Sequence, residues 1–240
     1  MIDPLHQFTI TPLTGINIGG VDLSFTNSSL AVSATFLLIW AVFTLCLRRG
    51  RLIPERPQAA AEMLYGLVAD LIDANVGRSG LRYFPFVFTV FCFVLFGNLT
   101  GLIPYMFTFT SHIIATFTVA AAVFLFITAL GIVLHGFAFF GIFAPSGVPK
   151  LLLPLLIPVE LISYLTRPIS LSVRLFANMM AGHTMMKVFA GFAAMTGSFC
   201  AVPIAVNIIL TGFEVVVAVL QAYIFTILTC VYLNDAIHLH

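Results

Sequence analysis

Glu160, Arg167 and Arg174 stand seven residues apart in a stretch of chain that is otherwise apolar. An α-helix advances about 100° per residue, so seven steps return to within roughly 20° of the starting direction. If one helix continues past Pro168, the three charges form a single stripe, which Asn178 extends four residues on. A second polar stripe follows. Asn207, Glu214 and Gln221 are again seven apart, and Tyr232, eighteen residues after Glu214, returns to the same face. His183 falls nine residues after Arg174, about half a turn round the helix axis.

An ionised side chain at the centre of a bilayer costs roughly 2.5–3.5 kcal/mol on insertion scales, and such groups mark ion paths and proton relays. An imidazole with a pKa near 6.5 suits a relay. Arginine holds its charge permanently, with a pKa above about 12. These residue types therefore offer proton exchange around one fixed cation. Structural roles compete with that reading. Glu160 could cap a helix or snorkel, and Arg167 could snorkel or pair with Glu160. Asn207 and Gln221 could bond neighbouring helices. Arg174 lies about 15 residues from the nearer apolar end, too deep to snorkel. Glu214 sits between "TGF" and "VVVAVL", with no polar surface within easy reach. Lys187 is expected to snorkel, and Ala181 and Gly182 suit close helix packing. "GNLTG" at 97–101 matches GxxxG and reads as packing. His112, His135, His238 and His240 lie at segment ends or in the C-terminal tail and carry little signal.

Covalent chemistry has no equipment here. The chain has no Walker loop, HExxH or GxSxG. Cys46, Cys92, Cys200 and Cys230 lie in apolar runs without CxxC or metal spacing and read as packed side chains. We expect no catalytic site of its own, no cofactor and no metal.

Of 240 residues, 61% are hydrophobic and only 8% charged, and the mean hydropathy is +1.13. Soluble domains carry about 25% charge and about 45–50% apolar residues. The chain is thus an all-α polytopic membrane protein, and a net charge of +1 offers no basic surface for nucleic acid. The N-terminus, "MIDPLHQFTITPLTGINIGG", has no basic region before the first apolar run. It reads as an outer N-terminal segment, 1–29, followed by an uncleaved anchor. No arginine-rich transit peptide precedes it, which favours a bacterial inner membrane or an organelle-encoded chain.

A spanning helix needs about 20 apolar residues. The first span is expected at 30–47, ending at "RRGR". In 54–80, Ala59, Met63, Leu64, Leu67, Leu71 and Ile72 recur at helical spacing, with Glu55, Glu62, Asp70 and Asp73 mainly between them. This predicts an amphipathic surface helix. A helical hairpin is expected over 84–140, with its segments at Phe84–Phe107 and Ile113–Phe140, and a loop at Gly141–Pro149. The region 150–236 contains two apolar stretches too long for vertical spans. Either each hides a re-entrant break or both are long, tilted helices, with Pro154, Pro158 and Pro168 marking bends in the first. The count is about five membrane helices plus one surface helix. Six of the ten Lys/Arg lie between Arg48 and Arg82, and Lys150 marks another loop. The positive-inside rule puts both loops in the cytoplasm, the N-terminus outside and the C-terminus inside.

"RPISLSVRLFANMMAGH", followed some thirty residues later by "GFEVVVAVLQAYIFTILTCVYL", resembles the a subunit family of F-type ATP synthases. The resemblance covers nearly the whole chain, including "GNLTGLIP" at 97–104. It implies that the last two helices form a hairpin against a rotating ring of c subunits. Arg174 matches the family's essential arginine between two aqueous half-channels. Asn178 and Gln221 match polar positions that place the arginine, and Glu160 matches a carboxylate near the cytoplasmic half-channel. His183 and Glu214 match a pair lining the outer half-channel, with acid and imidazole exchanged relative to many bacterial members. Tyr232 matches a family tyrosine, and Arg167 and Asn207 are secondary candidates. The implied partners are the c ring, the subunit b peripheral stalk and the rest of the F1Fo complex, with protons as cargo and lipid as solvent. The rival reading, a self-contained proton-coupled transporter, predicts internal repeats and a broken-helix site at the midplane, and no repeat is visible.

Overall fold

The computed structural model describes residues 11–14, 17–18, 21–22, 24–48, 50, 53–103, 107–136, 139, 141, 153–195 and 200–238. The expected loop over 142–149 and Lys150 lie outside them, as do residues 1–10. Among the described residues six α-helices carry the fold: α1 (Asn27–Leu47), α2 (Arg56–Asn75), α3 (Phe84–Gly101), α4 (Ile113–His135), α5 (Leu153–Met195) and α6 (Ala201–Ile237). Ahead of them lie two short antiparallel ladders that the hydropathy pattern did not suggest. β1 (Pro12–Thr14) pairs with β4 (Phe25–Thr26), and β2 (Asn17–Ile18) pairs with β3 (Val21–Asp22) inside it. The signal was the Gly-Gly pair between Ile18 and Val21, typical of a two-residue hairpin.

α1 begins where the Thr26 hydroxyl accepts from the Ser29 N–H. It is apolar all round and peripheral. Thr35 is its buried residue, 3.4 Å from the Thr100 hydroxyl of α3, while Trp40 is 69% exposed. α2 is amphipathic as its pattern predicts, burying Ala61, Val68, Leu71 and Ile72. Met63 and Leu67 do not share that face and are exposed. The helix has two apolar edges, and periodicity alone does not say which edge meets protein. α2 closes at Gly77, whose φ of +76° favours glycine.

α3 ends at Gly101, short of the expected Phe107, because the chain turns back there. The Thr108 hydroxyl donates to the Gly101 carbonyl at 3.1 Å, and a buried 3-10 turn follows over Phe109–Ser111. α4 ends at His135, short of Phe140, because Gly136 adopts φ +57° just past the helix end.

α5 is one helix of 43 residues through Pro158 and Pro168, and α6 is one helix of 37. Neither contains a re-entrant break. At 1.5 Å per residue they are roughly 65 and 55 Å long. A hydrocarbon core about 30 Å thick can hold them only if both tilt strongly. Among the described residues, four helical stretches are long and apolar enough to cross a membrane: α1, Arg78–Gly101, α4 and α6. α5 has ample length, but Glu160, Arg167, Arg174 and Lys187 dilute its apolar character.

Lipid gives apolar helices no hydrophobic reason to associate, so close packing and interhelical hydrogen bonds must hold the bundle. α3 is the centre, burying Val87, Val90, Phe91, Val94 and Leu95. α6 lays Ala222, Phe225 and Leu233 into this core, with Ala218 also buried. The small Ala218 lets α3 approach closely enough for Asn98 Nδ2 to donate to its carbonyl at 3.3 Å. α4 is tied to α5 by Thr116–Ser172 (3.1 Å) and Thr128–Tyr164 (2.7 Å) hydroxyl pairs.

Candidate functional site

Because α5 is continuous past Pro168, the spacing argument applies to it directly. Leu171, Leu175 and Met179 are buried against the bundle, while Arg174 is exposed on the outer side. Among the described residues Arg174 makes no hydrogen bond or ion pair. His183, about half a turn round, is only 5% exposed. The two groups thus occupy different faces of one helix, as their separation of nine residues requires.

His183 meets Glu214 of α6. Its Nε2 lies 3.6 Å from Glu214 Oε1, and Glu214 is 4% exposed. Neither Glu214 oxygen has a hydrogen-bond partner among the described residues. Gly182 makes this approach feasible, since a Cβ there would stand 2.6 Å from Oε1. A cleft of about 340 Å³ opens between α5 and α6 beside the pair, lined by Asn178, Gly182, Glu214 and Gln221 among others. Gln221 is buried, and Asn207, one heptad before Glu214, buries an Oδ1 that has no hydrogen-bond partner among the described residues. The Asn207, Glu214 and Gln221 stripe therefore faces inward.

A second polar cluster lies at the other side of Arg174. Arg167 does not pair with Glu160. Its Nη1 donates to Asp235 Oδ2 of α6 at 2.9 Å. The guanidinium also lies 5.4 Å from the Tyr164 ring and 5.1 Å from the Tyr232 ring. Glu160 is half-buried, two turns earlier on the same helix. The antiparallel return of α6 explains the change of partner: it brings a C-terminal acid alongside the start of α5, nearer than a carboxylate seven residues along the same helix.

Sequence reasoning missed Asp235, Asn98 and Thr108. Asn98 carried a usable signal, an amide in the middle of an apolar span. Asp235 offered only an isolated acid three residues after Tyr232. Thr108 offered nothing. Its Oγ1 lies 3.4 Å from His183 Nε2. Nearby His112 stacks on Phe107 at 5.0 Å, and burial pushes its imidazole below the usual range.

Along α5, Arg174 lies about 10 Å from Arg167 and about 13 Å from His183. The arrangement is a fixed, unpaired cation on the outside, with a polar cluster to either side of it along the helix pair. An apolar helical bundle with a carboxylate beside an imidazole, and a guanidinium turned outward, belongs to the class of membrane proteins built to move protons. The family model for the ATP synthase A chain matches residues 29–234, and the chain belongs to that family. It is 54% identical over 241 residues to the ATP synthase subunit a of Rhodospirillum rubrum, with all of both chains covered. It is 50% identical to that of Parvibaculum lavamentivorans, covering 99% of this chain and 94% of the relative. With that of Agrobacterium fabrum it shares 51% identity, covering 98% of each chain.

Proposed function

We propose that this chain is the proton-conducting stator subunit of an ATP synthase Fo motor, with two offset half-channels that load and unload protons on c-ring carboxylates. The observation that carries the reading is Arg174, exposed and unpaired on α5 between the two polar clusters. A protonated ring carboxyl nearing Arg174 gives up its proton, because the guanidinium favours the carboxylate. The bare carboxylate moves on and is reprotonated from the other half-channel. Arg174 never deprotonates, so it also blocks direct passage between the channels. Lysine would do this poorly, since a buried ammonium can lose its proton.

By the positive-inside rule the start of α5 and the end of α6 face the cytoplasm. His183 and Glu214 then serve the outer half-channel, with Asn207 beside them, and Glu160 serves the cytoplasmic one near Arg167 and Tyr232. Asn178 and Gln221 place Arg174 and line the approach. The N-terminus lies outside a bacterial inner membrane and the C-terminus inside. The partners are the c ring, the subunit b stalk and the remaining F1Fo subunits.

The test is ATP-driven acidification of inverted membrane vesicles, native against Arg174→Ala, together with their passive proton leak. We expect pumping to vanish while the complex still assembles, and the leak to rise. Pumping at a near-native rate would overturn the rotary reading.

A further inference from the structure

From the atoms around His183 we infer that Thr108 is a positioning residue that keeps a proton on His183 Nε2 and aims it at Glu214. The inference rests on the relay reading of His183 and Glu214 proposed above and deepens it.

Thr108 is 1% exposed, and it is held against Gly101 at the end of α3. The contact is close: a Cβ on Gly101 would stand 2.5 Å from Thr108 Cγ2. A hydroxyl has one proton, and Thr108 donates it to the Gly101 carbonyl at 3.1 Å. Towards His183, 3.4 Å away, its oxygen can then only accept. The second oxygen facing Nε2 is Glu214 Oε1, at 3.6 Å. As a carboxylate it too is only an acceptor. Two acceptors around one ring nitrogen select the form in which that nitrogen carries hydrogen.

This fixes the order of proton movement. A proton arriving at Nδ1 makes the ring an imidazolium. The Nε2–H bond breaks as an O–H bond forms on Glu214 Oε1, and the ring is left neutral with its proton on Nδ1. Once Glu214 has passed that proton on, the Nε2 lone pair faces two acceptor oxygens, Thr108 Oγ1 and Glu214 Oε1, an unfavourable pairing. The ring returns to the Nε2–H form by exchange with water, which takes the proton from Nδ1 as another is delivered to Nε2, and the acceptors facing Nε2 favour that form before the next cycle. Both contacts, 3.4 and 3.6 Å, are long for hydrogen bonds, so the Nε2–Oε1 distance shortens before the proton transfers.

The test uses the intact F1Fo complex in inverted vesicles, in normal and deuterated water, with Thr108→Val, Thr108→Ser and His183→Leu. Thr108→Val keeps the shape and removes the acceptor, and Thr108→Ala replaces it if the valine variant does not accumulate. We expect Thr108→Val to slow pumping about tenfold, the scale of one lost hydrogen bond. The solvent isotope effect should increase, because proton transfer becomes limiting, and Thr108→Ser should restore both. If His183→Leu pumps like the native protein, the relay reading itself fails. If His183→Leu is inactive but Thr108→Val is native-like, the relay stands and only the Thr108 inference fails. Slow pumping without a larger isotope effect, or equally slow Thr108→Ser, would show a packing role and overturn the inference.

Discussion

Glu214 is buried with both oxygens unbonded among the described residues, where buried polar groups are normally satisfied. A carboxyl kept in that condition suits a role in which its partner, a proton, comes and goes. Its position depends on Gly182, where an added Cβ would stand 2.6 Å from Oε1 and 2.8 Å from Cδ. The obstructed atoms are the far end of a flexible side chain, so Gly182→Ala should fold and assemble with the carboxylate pushed off His183. A displacement near 1 Å can cost up to about a hundredfold in rate. We therefore expect Gly182→Ala to lower pumping by at least about tenfold at normal subunit abundance, and Gly182→Val to lower it further. Native pumping by Gly182→Ala would show that the His183–Glu214 distance does not matter. At this scale the stripes were legible in the sequence because periodicity is local: Arg174, His183, Glu214 and Gln221 needed only one helix each. Thr108 and Asp235 were not. Their partners lie 75 and 68 residues away, and only the way the helices fold together brings them near.

Between elements, the Arg167–Asp235 pair fastens the start of α5 to the end of α6, two turns from Arg174. Its side chains are 24% and 34% exposed, so solvent screening limits the ion pair to about 1 kcal/mol at most. The flanking Tyr164 and Tyr232 rings add a cation–π contribution of about 0.5–1 kcal/mol. Asp235→Asn should thus destabilise the complex by about 1 kcal/mol, and Arg167→Ala by more, because it also empties the space between two rings. The exchange Arg167→Asp with Asp235→Arg should recover part of the loss. Charge attraction is symmetric under the swap, whereas stacking on Tyr164 is not. Thermal dissociation of the detergent-solubilised complex measures all three, and a swap no better than its worse single variant would show that the charges are not coupled. The long apolar helices α1, α4 and α6 were readable from composition alone. The ends of α3 and α4 were not, because a hydroxyl contact and one positive-φ glycine set them inside apolar sequence. Continuity of α5 through Pro168 decided whether one stripe or two existed, and residue spacing could not supply it.

For the whole molecule, the question is whether this chain moves protons by itself. A self-contained transporter encloses its site between repeats near the midplane. Here the two polar helices are adjacent in sequence, and Arg174 lies on the outside of the bundle. Apolar side chains of the same helices are also exposed, among them Ile162 at 62% on α5 and Phe213 at 64% and Val216 at 62% on α6. Lipid satisfies such apolar side chains but does not satisfy a guanidinium, which costs several kcal/mol in hydrocarbon unless a polar partner reaches it. A partner that brings a carboxylate to Arg174 would remove that cost, and a c-subunit ring would do so repeatedly. On the proposed reading each half of the path would end at that partner, and neither half would cross the membrane. The purified chain reconstituted alone should therefore pass protons no faster than empty liposomes. Co-reconstitution with the c ring and subunit b should open a flux, and a carboxyl-modifying reagent acting on the ring should abolish it. A flux from the isolated chain that matched the assembled sector would favour the self-contained transporter, with a continuous path through the cleft beside Glu214.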